Sequence, residues 1–245
     1  MSTFSRLGIV IVVMTSGLWL GGGWVWAKAT PEQQCQAGRY KATITYTACV
    51  QKLLAKEAGG TGGGTDKFEK AFFKCVAKYA AAWPKLQKKA TGTGAACDAA
   101  RLVANSDGTV TDNLSGLQWE QKTDDGSIHD KDDRYKWSAA GTAADGGAFS
   151  TFLAALNGSC FAGQCDWRLP TLAELATLIQ TPCATEACVD PLLGPTATFF
   201  DLYWSATTDV SVLPFGQAWG VQSGPHVTGR GKQGMEYVRA ARGGL

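Results

Sequence analysis

Histidine and methionine are scarce in this chain, with two His and three Met among 245 residues. No Cys-x-x-Cys pair occurs, so with His129 and His226 as the only histidines an ordinary zinc site is excluded. The Gly-x-Ser-x-Gly elbow of α/β hydrolases is missing, and with it the signature of that nucleophile. Past residue 27 no apolar run reaches the roughly 20 residues that a transmembrane helix needs, and no internal repeat stands out. A net charge of +2 gives the chain as a whole no polyelectrolyte character. What is present, 45% hydrophobic and 10% aromatic residues, suffices for a packed core.

The first 27 residues read as a secretory signal. Arg6 makes a short basic start, Leu7 to Leu20 an apolar run, and Val25, Trp26 and Ala27 a processing site, which predicts cleavage after Ala27. A retained anchor over Leu7 to Ala27 is the rival reading, interrupted by Gly21, Gly22 and Gly23. No Cys closes the apolar run, which disfavours a lipoprotein. All eight cysteines, at 35, 49, 75, 97, 160, 165, 183 and 188, lie beyond this segment, and an even count in an exported chain points to disulfides. Cys160 with Cys165 and Cys183 with Cys188 each close a short loop. The expected location is the periplasm or the cell exterior.

The near-neutral total hides a segregation of charge. Residues 28–90 hold twelve Lys or Arg against four acids, a net +8, whereas residues 91–245 hold ten against seventeen, a net −7. The basic part reads as a helical hairpin. Phe68, Phe72, Cys75, Val76, Tyr79 and Trp83 recur at spacings of three and four. Asp66 and Glu69 suggest a capping box, and Pro84 a kink or an end. A partner helix over about 32–57 is joined through the glycines of 59–64. Helical rise then places Cys49 near Cys75 and Cys35 near Cys97, a nested pair of staples suited to a unit too small to hold itself by packing. Lys67, Lys70, Lys74 and Lys78 share one helix face, either for an anionic partner or as a solvated or self-docked surface. Nucleic acid is the least supported partner, since no readout motif is present. Residues 91–99 read as a linker.

From residue 100 onward short β-like runs alternate with Gly, Asp and Asn, and strands outnumber helices, which predicts an α+β domain with mostly antiparallel pairing over 100–245. Its most informative stretch is Asp166, Trp167, Arg168, Leu169, Pro170, Thr171 through Glu174. Thr171 and Glu174 make a capping box ahead of Leu172, Leu175, Leu178 and Ile179, predicting a helix to Gln180. Pro170 biases Leu169 toward an extended conformation.

The ordered series GTVTDNLSGLQWEQK, Tyr135 to Ala140, DWRLPTLAEL, Tyr203 to Thr207 and YVRAARGG resembles the Lcl-type C-terminal domain, a bacterial extracytoplasmic domain, over roughly residues 100–243. Arg168, Leu169, Pro170, Thr171 and Glu174 also resemble the formylglycine-generating-enzyme-like branch of C-type-lectin-like folds. The resemblance implies a lectin-like fold and a surface polysaccharide or sulfated glycan as ligand. It does not extend to that enzyme's reactive cysteine pair, nor to the lectins' calcium triplets or Trp-Asn-Asp motif, since Trp204 is followed by Ser205 and Ala206.

Two further features bear on chemistry. The acidic loop with Asp124, Asp125, Asp130, Asp132 and Asp133 offers oxygens for a hard cation such as calcium, without the spacing of an EF-hand. Lys131 and Arg134 can neutralise part of it, and a solvated turn is the plainer reading. Trp119, Trp137, Trp167, Trp204 and Trp219 read as core rather than as sugar platforms. Arg168 and Arg239 read as partners of acids such as Asp166 or Glu174. The expectation is a non-enzymatic binding or adhesion module. An enzyme or maturation factor of the formylglycine-generating branch and a self-assembling envelope protein are the alternatives.

Overall fold

The computed structural model describes residues 19–20, 23–24, 28–60, 65–180, 188–197, 202–212, 216–222 and 224–245. The signal segment expected over 1–27, apart from the paired Trp19–Leu20 and Gly23–Trp24, and Cys183 of the expected Cys183–Cys188 pair therefore lie outside the described residues.

Three helices open the chain. α1 runs Pro31–Ala58, with Thr30 at its N-cap, a reciprocal capping box with Gln33, and Pro31 in the first turn, where its missing N–H costs nothing. α2 runs Thr65–Ala80 and α3 Ala82–Ala90. The break falls where Pro84, four residues beyond Ala80, cannot donate to that carbonyl and its ring would collide with it. Asp66 proves to lie inside the first turn of α2, not at its N-cap. Cys49–Cys75 joins α1 to α2, and Cys35–Cys97 joins the start of α1 to the short turn Ala96–Asp98. The connection over 91–99 is itself folded: Asp98 accepts from the amides of Gly92 and Gly94, and Cys97 is fully buried.

The remaining chain forms two sheets. Strands β1 (Leu102–Ala104), β2 (Thr109–Asp112) and β3 (Leu117–Glu120) make an antiparallel meander, which the last strand, β9 (Ala241–Gly243), extends in the order β9-β3-β2-β1. The second sheet takes β4 (Arg134–Lys136), β5 (Leu202–Asp209), β6 (Gln217–Gln222), β7 (Val227–Gly231) and β8 (Met235–Tyr237) in the order β4-β8-β5-β6-β7. All described pairings within it are antiparallel except β8 with β5. A π-wound turn, Ala148–Leu153, continues into α4, Ala154–Gly158. The fold is α+β, as the texture of the sequence predicts.

α5, Leu172–Ala176, begins at the Thr171 cap with both halves of the capping box made. It stops earlier than Gln180. From Thr177 to Ile179 each amide reaches back three residues rather than four, and Gln180 then pairs with Cys188. Cys188 is disulfide-bonded, and Cys160–Cys165 closes its short loop.

The buried side chains fall into two clusters. Trp137, Phe152, Trp167, Leu169, Trp204 and Val238 fill one, between the second sheet and α4. The other is continuous from the hairpin into the domain, from Phe68, Phe72 and Tyr79 through to Leu117, Trp119 and Trp219. The apolar stripe of α2 is thus covered on both sides.

Candidate functional site

The DWRLPT stretch is the joint between the two sheets. Arg168 exchanges backbone hydrogen bonds with Ala241 of β9, and Ala206 of β5 donates to the Pro170 carbonyl. Trp167 is clamped by Asn157, which bonds its backbone N–H and C=O, while its indole N–H donates to Phe161. The Arg168 guanidinium meets Glu174 with two bonds of 2.7 and 2.8 Å. Burial opposes ionisation of Glu174, but Arg168 and the Thr171 amide still hold its carboxyl below the usual carboxylate range. Asp166 pairs instead with Arg242 at 2.6 Å. Each polar group of the motif faces its own chain, so the motif positions elements and presents little outward.

A second constellation is buried at the end of β3. Glu120 Oε1 takes Lys122 Nζ at 3.1 Å and His129 Nδ1 at 2.9 Å, and Oε2 accepts the Ala240 amide. Burial pushes the Glu120 carboxyl up, yet Lys122, His129, Ala240 and Arg239 together bring it below its ordinary value. Burial lowers Lys122 against the pull of Glu120. Arg239, which the sequence suggests as the partner of an acid, donates instead to the Glu120 and Leu193 carbonyls and to Thr196 Oγ1. Gly194 makes this approach possible: its φ is +80°, and a Cβ there would strike the Lys122 carbonyl. His129 is oriented by a carboxylate, as a general base is, but among the described residues no hydroxyl or thiol is hydrogen-bonded to its Nε2.

Three of the five candidate metal ligands come together. Carboxylate oxygens of Asp124, Asp130 and Asp132 lie within 4.8 Å of one another. Asp125 does not join them, because it closes a turn with Thr123 and Ser127; Asp133 instead accepts the Tyr135 hydroxyl. Within the trio both Asp130 oxygens accept backbone amides, those of Asp125 and Gly126 on one and that of Asp132 on the other. Those amides hold the Asp130 carboxyl below its ordinary value. Lys131 Nζ bridges Asp132 at 2.7 Å and Asp124 at 3.2 Å. A cation entering here must displace an ammonium that already balances two of the carboxylates.

The hairpin rests on the domain through its apolar face. Phe68 stacks on Trp219, Tyr46 donates to the Ala173 carbonyl at 2.7 Å, and Arg39 reaches the Leu114 carbonyl. Glu69, expected to cap α2, accepts the Val227 amide and pairs with His226. All five candidate tryptophans of the domain are buried, and Trp219 lies at this junction. Lys67, Lys70, Lys74, Lys78, Lys85, Lys88 and Lys89 stay exposed. No signal local to Glu69 or His226 announces their pairing, since it depends on how the hairpin seats.

No helix among the described residues is long and apolar enough to cross a membrane. Neither a curated protein nor a solved structure matches the chain at a significant level. Residues 108–242, more than half of the chain and the span from β2 into β9, match the family model of the Lcl C-terminal domain. The chain belongs to the Lcl C-terminal domain family.

Proposed function

We propose that this protein is an exported, non-enzymatic binding module whose hairpin lysines take a polyanionic surface polysaccharide. One observation carries the reading: docking consumes the apolar face of α2 and leaves Lys67, Lys70, Lys74 and Lys78 exposed along its opposite side. Lysines three and four residues apart on one helix project a field that a repeating anion can meet at several points. The acidic domain beneath acts as the rigid support, its own motif arginines being engaged with Glu174, Asp166 and backbone carbonyls. Disulfides in both parts favour an oxidising compartment, where surface polysaccharides are met.

The test is retention of the purified protein on immobilised dextran sulfate against neutral dextran at equal loading. Retention on the sulfated matrix alone, released by salt, supports the reading. Equal passage through both matrices contradicts it.

A further inference from the structure

A cleft opens between α1 and the α2–α3 pair, away from the seam with the domain. Its volume is about 390 Å³, within the range of small-molecule sites. Ala42, Tyr79, Ala82, Leu86 and the Cys49–Cys75 bridge make an apolar floor, and Lys41, Lys78, Lys85 and Lys89 stand around it. Among the described residues no aspartate or glutamate lines it.

The sequence accounts for the opening. The break before Pro84 separates α3 from the line of α2, and small side chains at Ala42, Thr45 and Ala82 leave the gap unfilled. Gly38 closes one end, because its lack of a side chain lets Leu86 pack where a Cβ would collide with it. From Gly38 to Cys49 the cleft follows roughly 16 Å of α1 at 1.5 Å per residue.

Two physical demands converge on one occupant. An apolar floor partly open to solvent at Ala42, Cys49, Ala82 and Leu86 favours an alkyl chain, at about 0.8 kcal/mol per CH₂ removed from water. Four ammonium groups around that floor repel one another and favour a single anionic head. A polysaccharide meets the second demand and not the first. We propose that the cleft binds a free single-chain amphiphile of the long-chain carboxylate class, its chain on the floor between the helices and its carboxylate among the lysines. This site shares Lys78 with the outer face of α2 but differs from it in asking for an alkyl chain as well as a charge, and it does not depend on that reading.

The experiment is calorimetric titration of the purified protein with dodecanoate below its micelle concentration, alongside acetate and dodecanol at the same concentrations. Saturable binding of dodecanoate, with acetate silent and dodecanol weaker by about tenfold or more, is the expected result. Ala42→Phe, which fills the floor, and the pair Lys85→Gln with Lys89→Gln should each weaken dodecanoate by about tenfold, whereas Lys67→Gln on the outer face should not. The wild-type comparison stands even if a variant misfolds. No saturable binding of dodecanoate, binding matched by acetate, or association with anionic vesicles without a response to monomeric dodecanoate would overturn the proposal.

Discussion

Phe68 of α2 stacks on Trp219 of β6 with ring centroids 5.0 Å apart and planes 29° from parallel. Both side chains are nearly inaccessible, so the contact removes the largest aromatic of the seam from water and fixes which face of α2 looks outward. Aromatic pairs of this kind contribute about 0.5–1.5 kcal/mol beyond their burial. Phe68→Ala should therefore lower stability by about 3–5 kcal/mol, and the Trp219 surroundings should become wetter. Chemical denaturation followed by tryptophan fluorescence reads both. A change confined to helix content with an unmoved fluorescence signal would mean that the hairpin does not lean on Trp219.

The Glu120 and Lys122 charges are fully desolvated and stabilise one another. Removing only Glu120 as Glu120→Gln leaves Lys122 buried without its counter-charge, a change expected to cost about 3–5 kcal/mol. Adding Lys122→Met should restore part of that loss, so the double variant should be more stable than the sum of the two single changes predicts. Urea midpoints for the four proteins measure the coupling. Simple additivity would show that the pair contributes nothing as a pair.

Glu174 has a folded-state pKa below its ordinary 4.5. The folded protein then binds fewer protons than the unfolded chain, so this contribution is complete above about pH 5 and is lost as pH falls through about 4.5 toward the lower folded value. Glu174→Gln should flatten the dependence of the denaturation midpoint on pH between about 5 and 3, although Glu120 and Asp130, also held low, leave a residual slope. A variant curve parallel to the wild type would remove Glu174 from the acid response.

In the acidic loop the Lys131 ammonium already bridges Asp124 and Asp132. Calcium at millimolar concentration should leave the wild-type melting temperature nearly unmoved. Lys131→Met should uncover a calcium-dependent rise, which Asp124→Asn placed on top of it abolishes. A large calcium shift in the wild type would show that Lys131 yields its place.

What the sequence discloses and what it hides follow from the range of each interaction. The α2 stripe, the Thr171 and Glu174 cap and the Cys160–Cys165 loop are local or periodic, so spacing reveals them. The break before Pro84 is equally local. Short strands such as β1, β4 and β9 are defined by their neighbours rather than by their own three residues, and spacing does not expose them. Arg239 looks like the partner of an acid, but the chain brings carbonyls to it, because Gly194 lets Leu193 come close to Lys122. Glu69 has the position of a helix-capping residue and is taken by Val227 and His226, more than 150 positions later. Asp125 and Asp133 sit in the acidic run yet turn to local hydroxyl and amide donors, which composition alone does not distinguish from metal ligation.

In the function proposed for this protein, a docked hairpin presents its lysine face to a polyanion. The direct measurement is the affinity of the purified protein for soluble dextran sulfate across a salt series, for the wild type and for the combined Lys67→Gln, Lys70→Gln, Lys74→Gln and Lys78→Gln variant. The claim predicts binding that weakens steeply with salt and, in the variant, a large loss of both affinity and salt sensitivity at unchanged melting temperature. Equal affinity and equal salt dependence in the two proteins would contradict it.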